Sequence, residues 1–174
     1  LVAREFPRNL LAIASGVYGA GDRLYGVNRE TGRELWRPIE LRRIINEKPR
    51  VFTVRRLIDA GSTLVAPIRS NRDSALVGFD KASGAIMWER PIRNLMSKDT
   101  LAVAGHVLYF QEQPEPTASG EIGGPYVLRA MDLNSREILW SYSRTARENW
   151  SFGDLTPIDN GLWSTHYSVL LKLQ

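Results

Sequence analysis

The 174-residue chain has no cysteine and only two histidines. The first absence excludes disulfides and thiolate metal sites while leaving the redox compartment open. The second leaves little material for an imidazole cluster, and no His/Glu group stands at a metal-ligand spacing. No apolar run approaches the ~18 residues that a membrane-spanning helix needs; Leu10 to Ala14 and Leu101 to Ala104 are pieces of strand length. There is no nucleophile elbow and no glycine loop leading into a helix. Gly16-Val-Tyr-Gly19-Ala-Gly21 superficially resembles a dinucleotide fingerprint, but it precedes a strand-like run and not a helix, so the helix terminus that would hold an anion is missing. The chain opens on Leu1 with no charged-then-apolar leader, but a processed or trimmed protein would look the same, so its start says nothing about a signal peptide.

What is present is a mildly basic, turn-rich chain with 14 glycines, 9 prolines and 43% apolar residues, enough for a core of ordinary single-domain size. Its net charge of +4 is concentrated between Arg42 and Arg56, where Arg42, Arg43, Lys48, Arg50, Arg55 and Arg56 face only Glu47. Such a run suits an acidic partner, a phosphate backbone or anionic lipid, or else a solvated connector between repeats. Phe52 is its single aromatic residue, which argues against base stacking and for the connector. No nucleic-acid partner is expected.

One phrase is written three times: Asn28-Arg-Glu-Thr31-Gly32-Arg-Glu-Leu35-Trp36, Asp80-Lys-Ala-Ser83-Gly84-Ala-Ile-Met87-Trp88 and Asp132-Leu-Asn-Ser135-Arg136-Glu-Ile-Leu139-Trp140. The tryptophans are 52 residues apart both times. The equal spacing is partly a sum of unequal parts, because a long connector before Gly61 is balanced by a long insertion after Gly105. What repeats is the phrase and the glycine-led strand before it, and a repeated supersecondary unit decides the fold. Each phrase follows a strand-like run: Leu24-Tyr-Gly-Val-Asn28, Leu76-Val-Gly-Phe-Asp80 or Val127-Leu-Arg-Ala-Met-Asp132. Two strands joined by a short Gly-containing segment form a hairpin. The Asx side chain accepts turn amides, assisted by Thr or Ser, and the glycine takes a left-handed conformation that costs other residues ~1 kcal/mol. Arg136 stands where the third glycine belongs, so that hairpin is expected to be strained or differently shaped.

After the turn, alternation puts Leu35, Met87 and Leu139 on one face and Trp36, Trp88 and Trp140 on the other. A strand apolar on both faces predicts coverage on both, with each tryptophan a wedge between units burying ~200 Å². Further turn glycines, Gly16, Gly61, Gly105 and Gly161, precede apolar strands, giving about four short strands per unit. A radial array of such sheets is a β-propeller. The expected organisation is one partial, all-β propeller over 1–174, with four-stranded antiparallel blades at 10–40, 51–92, 100–145 and an incomplete 150–174. Trp36, Trp88, Trp140, Asn28, Asp80, Asp132, Gly32 and Gly84 are its blade-docking residues.

The pattern Asp/Asn-x-x-Thr/Ser-Gly-x-x-x-Trp after an apolar strand resembles the repeat of quinoprotein-type, PQQ-like β-propellers over roughly residues 10 to 145. The resemblance implies a wheel of about six to eight blades, of which about three and a half are present, the rest coming from a longer chain or from another chain. It also implies, for dehydrogenase members, a quinone and a calcium ion at the centre, a vicinal disulfide, carboxylate and amide ligands and an aspartate base. This segment cannot supply the disulfide. Asp154 and Asp159 are candidate carboxylates without a motif around them, Asp80 and Asp132 belong to their turns, and His106 and His166 read as polar blade positions. The acidic insertion Gln111 to Pro125, with Glu112, Glu115 and Glu121, suits a functional loop or a plain hairpin tip. Trp150, Phe152 and Trp163 read as core of the fourth blade.

The leading expectation is a non-catalytic, protein-binding scaffold on the periplasmic or extracellular side of a bacterial membrane, with a protein partner, no cofactor, no metal and no catalytic residue. It is closest in character to the lipoprotein scaffold of outer-membrane β-barrel assembly. Alternatives are part of a quinone- and calcium-dependent dehydrogenase, or a ligand-sensing domain of a membrane protein. Sequence beyond residue 174 would separate them.

Overall fold

The structure, a computed structural model, describes residues 9–21, 23–45, 48–54, 56–70, 73–93, 100–113, 126–143, 154–158, 161–166 and 169–173. Every regular element among them is a β-strand, and no helix capable of crossing a membrane occurs there. The strands form successive antiparallel sheets. The first sheet runs β1 (Asn9–Ile13), β2 (Gly16–Ala20), β3 (Arg23–Val27), β4 (Ile39–Glu40). A separate hairpin follows, β5 (Arg42–Ile45) with β6 (Lys48–Val51).

The second sheet is ordered β11 (Ile86–Ile92), β10 (Asp73–Asp80), β9 (Thr63–Ser70), with β7 (Thr53–Val54) and β8 (Ile58–Ala60) both pairing with β9. The third is β12 (Leu101–Ala104), β13 (Val107–Glu112), β14 (Val127–Asp132), β15 (Ile138–Ser143). The fourth has three strands, β16 (Leu155–Ile158), β17 (Gly161–His166) and β18 (Val169–Leu173). The architecture is all-β, a partial propeller of four-stranded antiparallel blades. It divides into two compact units, Leu1–Pro91 and Ile92–Gln174.

In the first unit, strand alternation builds one core between the first two sheets. Leu64, Ala66 and Ile68 of β9 and Ala75, Val77 and Phe79 of β10 meet Tyr18, Ala20 and Leu24, with Leu41, Phe52, Val54 and Leu57 closing the edge. The intervening Val65 and Leu76 are also fully buried, so β9 and β10 are covered on both faces. Each large side chain removed from water contributes about 1.5–3 kcal/mol. In the second unit Ala102, Leu128, Leu155 and Leu162 cluster with Tyr109 against them, joining the third and fourth sheets.

The basic connector is the β5–β6 hairpin. Its base is fixed where Phe52 N–H donates to the Leu41 carbonyl at 2.8 Å, both residues being buried. Its described counter-charges come from neighbouring strands: Arg42 pairs with Glu40 at 3.1 Å and Arg50 with Asp73 at 2.6 Å. Glu47 and Arg55 lie outside the described residues.

Two sequence expectations need correction. Leu35 and Trp36 are not in a strand: the ladder makes a bridge at Val27–Glu34 and resumes at Leu24–Ile39, leaving two more residues on the later strand. Arg37-Pro38 occupies that gap, and proline has no N–H for a ladder bond. The face carrying Leu35, Met87 and Leu139 is not uniformly covered either. Leu35 packs on the core, but Met87 and Leu139 are 54% and 53% exposed. Leu139 is the extra residue of a β-bulge, since Ala130 faces Trp140 while Met131 faces Ile138.

Candidate functional site

The repeated phrases fold into three Asx turns of one geometry. Asn28 Oδ1 accepts the N–H groups of Glu30 and Thr31 at 3.0 and 2.8 Å and the Thr31 hydroxyl at 3.0 Å. Asp80 Oδ1 accepts from Ser83 N–H at 2.8 Å and Ser83 Oγ at 2.6 Å. Asp132 Oδ1 accepts from Asn134 and Ser135 N–H at 2.7 and 2.8 Å. Each turn closes with a backbone bond to the Asx carbonyl, from Gly32 (3.0 Å), Gly84 (2.8 Å) and Arg136 (2.7 Å). Arg136 adopts φ 65°, beside 68° at Gly32 and 74° at Gly84. The third hairpin is therefore strained, as expected, but not differently shaped.

These contacts set the electrostatics. The Ser83 hydroxyl and then its N–H hold the Asp80 carboxyl below the usual carboxylate range. For Asp132 the Ser135 N–H is the largest cause, and His106 adds a smaller one, its Nε2 lying 3.3 Å from Oδ2. Carboxylates whose charged form accepts several donors stay ionised to lower pH.

The phrase tryptophans do not all meet the same surface. A Cβ on Gly26 would come within 2.5 Å of the Trp36 ring, and one on Gly78 within 2.2 Å of Trp88. The two indoles thus lie directly on the strand backbone before their turns. Trp36 also reaches the next sheet: its Nε1–H donates to the Lys81 carbonyl at 3.1 Å, and its ring covers Gly84. In the third copy Ala130 replaces the strand glycine. Trp140 is 37% exposed, against 9% for Trp88, and its ring leans on Tyr109 at 5.9 Å between centroids. The sequence reading missed Gly26 and Gly78, although a glycine two positions before the Asx residue is visible in both strings.

Beside the second turn lies a cleft of about 430 Å³, lined by Ile13, Ala14, Ser15, Asp59, Gly61, Ser62, Asp80, Lys81 and Ala82. It is positioned by three loops of the first unit: the β1–β2 turn, the β8–β9 turn and the Asp80 turn. Lys81 N–H donates to the Ser62 carbonyl at 3.0 Å, Gly61 N–H to Asp59 Oδ1 at 3.1 Å, and Lys81 Nζ pairs with Asp59. Its volume is within the small-ligand range, and an apolar wall above a neutralised ion pair suits an apolar side chain or a peptide segment.

A calcium–quinone centre would need several oxygens converging on one ion. Among the described residues no three His, Asp or Glu side chains are placed to hold a metal. Asp59 is neutralised by Lys81, and the Oδ1 atoms of Asp80 and Asp132 carry turn donors. These donors do not fit calcium. Asp154 is exposed just before β16. Asp159, Trp150, Phe152, the His166 side chain and most of the acidic insertion, including Glu115 and Glu121, lie outside what is described. Glu112, at the insertion's start, pairs with Arg129.

A PQQ_2 family model, described as outer membrane protein assembly factor BamB, matches residues 16–158. No curated protein sequence matches the chain. Among solved structures, a europium-containing methanol dehydrogenase superposes with a TM-score of 0.62 at 11% identity, over 93% of this chain. The chain spans only 38% of that protein's length, and the likeness is one of fold.

Proposed function

Since the chain belongs to the PQQ_2 repeat family, described as outer membrane protein assembly factor BamB, we propose that it is a non-catalytic, protein-binding scaffold on the periplasmic or extracellular side of a bacterial membrane. The supporting observation is how the matched span uses its polar groups. Residues 16–158 take in all three Asx turns. The Oδ1 atoms of Asn28, Asp80 and Asp132 accept turn donors, and the cleft's lysine pairs with Asp59. Rigid turns of this kind hold loops and apolar side chains in place for a partner, as loops on a fixed scaffold do.

The test is reconstitution. The purified chain, immobilised and exposed to a bacterial periplasmic and outer-membrane extract, is expected to retain one protein in stoichiometric amount that binds again as a purified component. Retaining nothing, or gaining a quinone absorbance and calcium-dependent alcohol oxidation once both are added, would overturn the scaffold in favour of the dehydrogenase.

A further inference from the structure

The cleft beside the second turn carries a charge arrangement that the other two copies of the phrase lack. Aligning the copies on their hairpin registers, Ile13↔Gly16, Ala60↔Thr63 and Ala104↔Val107, puts Asp59 in the place of Ala12 and Val103. Lys81 stands in the place of Arg29 and Leu133. Of the three copies, the second alone has an acid and a base at these two positions. The turn does not need them to close. In the third copy the Leu133 N–H reaches the His106 carbonyl at 2.7 Å, just as the Lys81 N–H reaches the Ser62 carbonyl at 3.0 Å. Lys81 is only 11% exposed, so its ammonium gives up water to pair with Asp59, which is costly. What the pair does in return is line the cleft.

The lining residues fix the class of ligand. Ile13, Ala14 and Ala82 supply apolar wall, while Asp59 and Asp80 against Lys81 leave one net negative charge. Lys81 Nζ is tied to Asp59, so the cleft keeps no cation to receive an anion. A purely apolar occupant would cover Asp80, whose carboxyl the turn donors keep ionised, without a counter-charge. An alkyl stem ending in a cation meets both demands, because such side chains lay their methylenes on apolar surface and keep the charge at the tip. All the walls come from residues 13–15, 59–62 and 80–82, inside the first compact unit. We propose that this cleft receives an arginine or lysine side chain of a partner polypeptide, with its stem on Ile13, Ala14 and Ala82 and its charge at Asp80. This deepens the scaffold reading, and rests on it for the ligand being part of a protein.

The probe is Nα-acetyl-arginine amide, titrated into the isotope-labelled whole chain at low ionic strength. It is expected to shift amide resonances at residues 13–15, 59–62 and 80–82, with the millimolar affinity that suits so small a ligand. The uncharged isostere Nα-acetyl-citrulline amide is expected to bind roughly fivefold more weakly, the upper end for a solvent-exposed ion pair. Asp80→Asn should weaken arginine amide binding by the same factor while keeping the turn, which Asn28 forms natively. Asp132→Asn makes the same change in the third turn, away from the cleft lining, and should bind as the wild type does.

No shifts at those residues, equal binding of the two amides, or an Asp80→Asn protein that binds like the wild type would each overturn the inference. The citrulline comparison uses the wild type alone, so it decides the matter even if the variant does not fold. The two readings fail separately. A partner retained from the periplasmic and outer-membrane extract equally by wild type and Asp80→Asn, and not displaced by the arginine amide, keeps the scaffold and overturns the cleft assignment. Selective arginine binding with no protein retained overturns the scaffold and, with it, the polypeptide source of the side chain.

Discussion

Gly78→Ala tests whether the indole-on-backbone contact organises the blades. The added Cβ would sit 2.2 Å from Trp88 Nε1 and 2.3 Å from Cε2, so the ring must move. The third copy shows where it goes, because Ala130 is the natural alanine version of this position. Trp140 is 37% exposed there against 9% for Trp88. That difference, a little over a quarter of a ~250 Å² side chain, is about 70 Å², or roughly 1.5–2 kcal/mol of lost burial. Alanine recovers about 0.5 kcal/mol through the unfolded chain, since Gly78 is not in the left-handed region. The expected net loss is about 1 kcal/mol, a fall of roughly 0.5 M in the urea midpoint. Acrylamide quenching should increase in the folded variant. A Gly78→Ala protein with wild-type midpoint and wild-type quenching would refute the reasoning.

Three further outcomes are expected. Gly84→Ala combines a φ of +74° with a Cβ 2.7 Å from Trp36 and 2.8 Å from Ile39, while Gly32→Ala has the φ of +68° and open space. The first should therefore cost about 3 kcal/mol and the second about 1 kcal/mol in urea unfolding. Arg136→Gly relieves a left-handed arginine whose hydrogen bonds are otherwise those of the other turns, and should raise the midpoint by the equivalent of about 0.5 kcal/mol.

Acid unfolding supplies the last. Asp80 and Asp132 are held below the ordinary carboxylate value, so their contribution is fully present above about pH 4 and is lost as pH falls through the lowered folded values. Asp80→Asn with Asp132→Asn keeps the acceptor oxygen, as Asn28 does, and should flatten that acid limb of the stability profile without altering the neutral-pH strands. An unchanged acid limb would show that other groups govern it.

The parts of the fold legible in the sequence were those fixed by local chemistry. Asx residues followed by Thr or Ser, glycine at a turn and period-two alternation placed hairpins at 28–32, 80–84 and 132–136 because each device acts within a few residues. Contacts between segments were not legible. Nothing near Arg50 announces Asp73, and nothing near Lys81 announces Asp59 as its partner. The exposure of Met87 and Leu139 was missed for the same reason: alternation says which residues share a face but not whether another sheet covers it. Trp36 was placed on a strand because the reading weighed the apolar phrase and not Arg37-Pro38 after it. Gly26 and Gly78 were in plain view, but their role appears only when a bulky ring is seen lying against them.

The bare glycine at position 84 also bears on how the chain avoids assembling itself in the wrong order. Near-identical repeats invite mispairing during folding, a characteristic failure of repeat proteins. Trp36 seats only where the turn residue has no side chain, and a Cβ at Gly84 would already be 2.7 Å from it. The third turn carries Arg136 at that point, so it rejects an indole seated as Trp36 is on Gly84. The departure from the repeat thus distinguishes two turns of the same backbone by a single side chain.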